Sequence, residues 1–132
     1  MAWVELITLL ALIQLGFFST LVGRARGRYG IHAPATTGNE HFERYYRVQV
    51  NTIETLILFL PALWIAAKYW SPRWVSVIGA VYLVGRMLYL QGYVLDPKKR
   101  GLGYGLSAIP VLVLIAADLA GVVRALLITG GS

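Results

Sequence analysis

The chain has 132 residues, 58% hydrophobic and only 14% charged, where soluble domains carry about a quarter charged. That shortage of solvating groups, with the apolar residues gathered in long blocks, excludes an ordinary soluble domain, and the length suits a single domain over 1–132. The net charge of +6 lies in short segments between apolar blocks, which favours membrane orientation over a nucleic-acid surface. Cysteine is absent, so a disulfide framework, a thiolate metal site and a protein thiol nucleophile are excluded. Any thiol chemistry must use a thiol carried by a small molecule.

Four blocks are long enough to cross about 30 Å of hydrocarbon, which takes about 20 residues. The first runs from Ala2 to about Val22. It has no basic residue before it and no small-residue cleavage site, so it reads as a retained helix rather than a signal peptide, with Arg24, Arg26 and Arg28 as its flank. A loop over 23–40 follows, holding Gly27, Gly30, Pro34 and Gly38. The second block begins in polar sequence near His41 and is apolar through Tyr69, and its interior Pro61 predicts a kink. The turn Trp70-Ser71-Pro72-Arg73 opens a third block, Trp74 to about Leu95. Asp96-Pro97-Lys98-Lys99-Arg100-Gly101 then leads into a fourth, from about Tyr104 to Ile128. The expected fold class is all-α, an integral membrane four-helix bundle of left-handed up-down topology.

The basic residues orient the chain. Eight of them (Arg24, Arg26, Arg28, Arg44, Arg47, Lys98, Lys99 and Arg100) lie on the side of loops one and three, against three (Lys68, Arg73 and Arg124) on the other. The positive-inside rule puts loops one and three in the cytoplasm and both termini outside. Trp3, Trp64, Trp70 and Trp74 gather toward the outer side as an aromatic belt. With no targeting segment recognised, a bacterial inner membrane is the expected location.

Charged residues within spans need partners, water or a function. On the second block Arg47, Asn51 and Glu54 are spaced i, i+4, i+7 and share one stripe at about 100° per residue. On the third, Tyr82, Arg86, Tyr89 and Tyr93 form another. Two such stripes on neighbouring helices joined by a short turn are expected to face one cleft. Gln49, about 200° from Arg47, points the opposite way. It contacts the same ligand only from another copy of the chain, or else is a polar residue at the membrane surface. The plainer alternatives are an internal Arg47–Glu54 ion pair within a structural seam and a salt bridge of Arg86 with Asp118 or Glu54. Asp118 reads as structural and Arg100 as an orientation charge.

With these residues in hand, the chain resembles the MAPEG family, the membrane-associated proteins of eicosanoid and glutathione metabolism. The resemblance rests on Phe42-Glu43-Arg44-Tyr45-Tyr46-Arg47-Val48-Gln49-Val50-Asn51 followed by Glu54, and on Arg86 through Tyr93. It extends from Ala25-Arg26 through Thr36-Thr37-Gly38 to the fourth block, and is closest to the branch of leukotriene C4 synthase and microsomal glutathione transferase 2. It implies a homotrimer with glutathione, as co-substrate, between adjacent subunits. Arg47, Asn51, Glu54, Tyr89 and Tyr93 would hold it from one subunit, and Arg26 and Gln49 from the neighbour. Arg100 stands where this branch has the arginine that activates the thiol. Three departures stand out: Thr55 in place of a tyrosine that touches glutathione, Gly27 in place of an arginine serving the lipid substrate, and Pro97 shortly before Arg100.

The implied activity is a membrane glutathione transferase acting on hydrophobic electrophiles, with reduction of lipid hydroperoxides as an additional reaction. No metal and no nucleic-acid partner is expected. Two rival readings are a nonenzymatic lipid-presenting protein of the same family and a small four-helix exporter using Glu54 as proton carrier. Arg47, Asn51, Glu54 and Arg100 favour the enzyme over the presenter, and Arg47 beside Glu54 with the tyrosine-rich stripe disfavours the exporter.

Overall fold

The computed structural model describes residues 1–130; residues 131–132, with which the expected domain ends, lie outside the described residues. Four helices run in sequence: α1 (Ala2–Tyr29), α2 (Glu40–Tyr69), α3 (Pro72–Leu95) and α4 (Gly101–Thr129), with a 3₁₀ turn, Pro97–Arg100, ahead of α4. All four are long and apolar enough to cross a membrane.

The helix ends follow local chemistry. α1 outlasts its apolar block by about two turns, so that the expected loop shortens to 30–39. Arg26 and Arg28 lie in its last turn, where cations oppose the helix dipole, and Gly30 closes it at φ 69°, a left-handed conformation that glycine adopts without strain. The Asn39 side chain caps α2, accepting from the Phe42 amide at 3.0 Å. α3 opens with Pro72 in its first turn and stops before Pro97. α4 starts at Gly101 rather than near Tyr104, because the 3₁₀ turn feeds directly into it. Pro61 and Pro110 lie within α2 and α4.

The interior divides along the bundle axis. One end holds a dry cluster of Val4, Ile7, Phe59, Leu63, Val75 and Leu114, with Phe59 and Tyr82 stacked at 3.8 Å between ring centroids. Smaller clusters around Phe18, Val48 and Tyr89, and around Val22, Ala25 and Phe42, lead to the arginine-rich end. α3 and α4 approach closely enough that a Cβ added at Gly85 would lie 2.5 Å from the Leu106 carbonyl carbon, and one at Gly103 would overlap the Tyr89 backbone. Without a hydrophobic drive between helices in lipid, such close backbone packing supplies the attraction. Outward-facing residues such as Ile57, Trp74, Leu112 and Leu127 are exposed and apolar, as lipid contact requires. At the tryptophan-rich end the Trp64 indole donates to Thr8 Oγ1 and the Trp70 indole to the Ala117 carbonyl, both at 2.9 Å.

Candidate functional site

Six of the expected residues come together. Arg47, Asn51 and Glu54 on α2, Tyr89 and Tyr93 on α3, and Arg100 at the end of the 3₁₀ turn wall one cavity of about 490 Å³ at the arginine-rich end. It lies within the range of about 300–1,000 Å³ typical of small-molecule sites. Arg47, Glu54 and Arg100 are exposed and Tyr89 is buried, so the charged groups rim the cavity and a tyrosine forms part of its inner wall.

The charges are not consumed internally. Among the described residues the one ion pair joins Arg44 to Glu40, and neither Arg47 nor Glu54 makes a side-chain hydrogen bond. The internal Arg47–Glu54 pair is therefore absent. The alternative expected for Arg86, a salt bridge to Asp118 or Glu54, is absent too. Arg86 is wholly buried and donates instead to Asn51 Oδ1 at 2.8 Å, with longer contacts to the Thr52 and Thr55 hydroxyls at 3.3 and 3.5 Å. Its guanidinium lies 4.3 Å from the Tyr89 ring centroid, a cation–π contact that helps to hold the charge among polarizable neighbours. A guanidinium only donates, so Asn51 must turn Oδ1 toward Arg86, which leaves its NH₂ group free to donate into the cavity. Arg86 itself does not line it.

Arg100 reaches the cavity from a turn rather than a regular helix. Its Nη1 donates to the Pro97 carbonyl at 3.2 Å and its guanidinium sits 6.0 Å from the Tyr93 ring centroid. Pro97 thus starts the turn that carries Arg100, and leaves Arg100 on the cavity wall. Tyr89 and Tyr93 face each other at 5.6 Å between centroids.

Arg26 and Gln49 are not part of this cavity. Gln49 donates to Ser19 Oγ on α1 at 2.9 Å, while Arg26 donates to the Ala35 carbonyl at 2.7 Å and lies over the Phe42 ring. Thr55 does not line the cavity either, and the space beside Gly27 is open. The cavity also includes Glu43, Tyr46, Val50, Thr36 and Thr37. Glu43 and Val50 share the stripe of Arg47 and Asn51 at helical spacing, so that signal was present; the threonines lie in a loop without periodicity.

The fold and site together define a polytopic helical membrane protein with a charged, tyrosine-walled cavity at one end of its bundle. The chain belongs to the MAPEG family, whose family model matches residues 4–120. It is 46% identical over 117 residues to the uncharacterized protein sll1147 of Synechocystis, covering 89% of this chain and 85% of that protein. It is 37% identical over 113 residues to human microsomal glutathione S-transferase 2, covering 84% of this chain and 77% of the relative. Bovine leukotriene C4 synthase is 37% identical over 110 residues, covering 83% of this chain and 73% of the synthase. The branch resembled in sequence is thus the branch in which its relatives lie.

Proposed function

We propose that this protein is a membrane glutathione transferase that conjugates glutathione to hydrophobic electrophiles. The names of the human and bovine relatives support that chemistry. The observation that carries it is the joint cavity of Arg47, Asn51, Glu54, Tyr89, Tyr93 and Arg100, with Arg47 and Glu54 unpaired within the described chain.

Glutathione brings two carboxylates, an ammonium and a thiol. Arg47 and the Asn51 NH₂ group suit a carboxylate, and Glu54 suits the ammonium. Tyr89 and Tyr93 wall the thiol end beneath Arg100. A free thiol titrates at about 8.5, and a neighbouring cation favours the thiolate; Arg100 supplies that cation. The thiolate attacks an electrophilic carbon of a lipophile reaching the cavity from the bilayer, a carbon–sulfur bond forms, and the leaving group departs with its electron pair. The thiol proton goes to solvent. A lipid hydroperoxide is a second substrate class for the same thiolate: the thiolate sulfur takes one peroxide oxygen as the O–O bond breaks and the alcohol leaves, and a second glutathione then reduces the resulting sulfenic acid, giving glutathione disulfide and water.

In this reading the functional unit is a homotrimer of left-handed up-down four-helix subunits, each a single domain. Gln49 and Arg26, on a face turned from their own cavity, then reach the neighbour's glutathione. Loops one and three face the cytoplasm and both termini lie outside. The test is turnover of 1-chloro-2,4-dinitrobenzene with glutathione by purified protein in detergent, beside calorimetry of glutathione binding. Conjugation with chloride release is expected. Absence of glutathione binding overturns the proposal and leaves the lipid-presenting alternative.

A further inference from the structure

In the sequence Arg44 counts as one of the charges that orient the chain and as part of the segment that carries the family resemblance, but its contacts are more specific. α3 cannot continue past Leu95, because Pro97 has no amide hydrogen and holds Asp96 extended at φ −159° and ψ 117°. Beyond this break Lys98 N donates to Asp96 Oδ1 at 3.1 Å and Lys99 N to the Asp96 carbonyl at 2.8 Å. In an uninterrupted helix those two amides would serve the carbonyls of Val94 and Leu95. Both carbonyls are therefore left without backbone donors.

Arg44, arriving from α2, takes both. Its Nη1 donates to the Val94 carbonyl at 3.0 Å and the Leu95 carbonyl at 3.3 Å, while Nη2 donates to Glu40 Oε1 at 2.8 Å. The Arg44 side chain is only 15% exposed. The turn is also held by close packing: a Cβ added at Gly92 would lie 2.6 Å from the Lys99 carbonyl oxygen. Arg100 is the next residue after Lys99. The corner between α3 and α4 is thus tied to α2 by one side chain, and it ends on the residue that overhangs Tyr93.

We propose that Arg44 is a positioning residue for Arg100: by holding the last carbonyls of α3 it fixes where the Arg100 guanidinium stands over the cavity. This rests on the role assigned to Arg100 above. Arg44 does not line the cavity, so its loss loosens the corner while Arg47, Asn51 and Glu54 keep their places on α2. The expected signature is a change in the thiolate and in kcat, with glutathione affinity nearly retained.

The experiment titrates the ultraviolet absorbance of the bound glutathione thiolate against pH, in detergent-purified full-length protein. It compares wild type, Arg44→Met, Arg100→Ala and the double variant. Arg100→Ala is expected to raise the midpoint toward that of free glutathione. Arg44→Met should raise it part of the way and lower kcat on the order of ten- to a hundredfold, the scale of a misplaced catalytic group. The double variant should match Arg100→Ala. A midpoint unmoved by Arg44→Met, or one that rises further in the double variant than in Arg100→Ala, overturns the positioning role. A midpoint unmoved by Arg100→Ala overturns the assignment of Arg100 itself. Should Arg44→Met fail to fold, Arg44→Gln, which reaches one carbonyl at most, is held to the same criteria.

Discussion

The two halves of α2 lie in opposite surroundings within one continuous helix. Toward the tryptophan-rich end Leu56, Phe59, Ala62, Leu63, Ala66 and Ala67 are buried in a dry cluster. Toward the arginine-rich end Glu43, Arg47, Asn51 and Glu54 wall a cavity, and among the described residues Arg47 and Glu54 have no ionic partner. Arg86 on α3 marks the boundary, wholly buried yet bonded to the last polar residues of that upper stretch. In the proposed reading the polar half receives a charged occupant, while the apolar half supplies packing. Substitutions in the two halves should therefore separate chemistry from stability.

The largest effect is expected at Arg100. Arg100→Ala should reduce kcat for 1-chloro-2,4-dinitrobenzene conjugation by about 10²–10³-fold, the scale on which one preorganised electrostatic group acts. Calorimetry should still show glutathione binding. A loss of binding equal to the loss of turnover would assign Arg100 to substrate retention instead.

Phe59→Ala probes the dry half. In lipid little hydrophobic transfer is forfeited, so the cost is mainly the cavity left beside Tyr82, whose ring lies 3.8 Å away. At about 24 cal/mol per Å³ over roughly 80 Å³ this amounts to about 2 kcal/mol. The thermal midpoint of the detergent-solubilised protein should fall while the glutathione Kd stays unchanged. A shift in Kd as large as that from an α2 cavity residue would erase the division between the halves.

Arg86→Met tests the boundary. Removing the guanidinium frees the Asn51 amide to rotate, and the loss of a charged hydrogen bond corresponds to about a tenfold rise in KM for glutathione. Arg86→Lys, which keeps a donor toward Asn51, should recover part of it. An unchanged KM with a lowered thermal midpoint would make Arg86 purely structural.

Much of this contrast was legible in the residues. The four spans follow from apolar block length, and the joint face of Arg47, Asn51 and Glu54 from helical spacing; Gln49, two residues from Arg47, does point away, to Ser19. Less legible were contacts that depend on how helices dock. Nothing in the spacing of Arg86 shows that its partners are an asparagine and two threonines rather than a carboxylate. Nor does the sequence near Arg44 reveal that two carbonyls about fifty residues away lack backbone donors and take Arg44 instead. The end of α1 was missed for a local reason: its last turns are charged and glycine-containing, and so resemble a loop until Gly30 ends them.

The smallest effect is expected at Thr55, a departure from the pattern that the resemblance implies. Its hydroxyl donates to the Asn51 carbonyl at 2.7 Å, a local back-bond within α2, and receives only a 3.5 Å contact from Arg86. The first is common for threonine in helices, and the second lies at the limit of hydrogen-bonding distance. Thr55→Ala should therefore change KM for glutathione by less than about twofold, since the Asn51 Oδ1 contact at 2.8 Å already secures Arg86. A tenfold effect, matching Arg86→Met, would mean that Thr55 helps to aim Arg86 and that the boundary between the two halves lies one turn nearer the dry core.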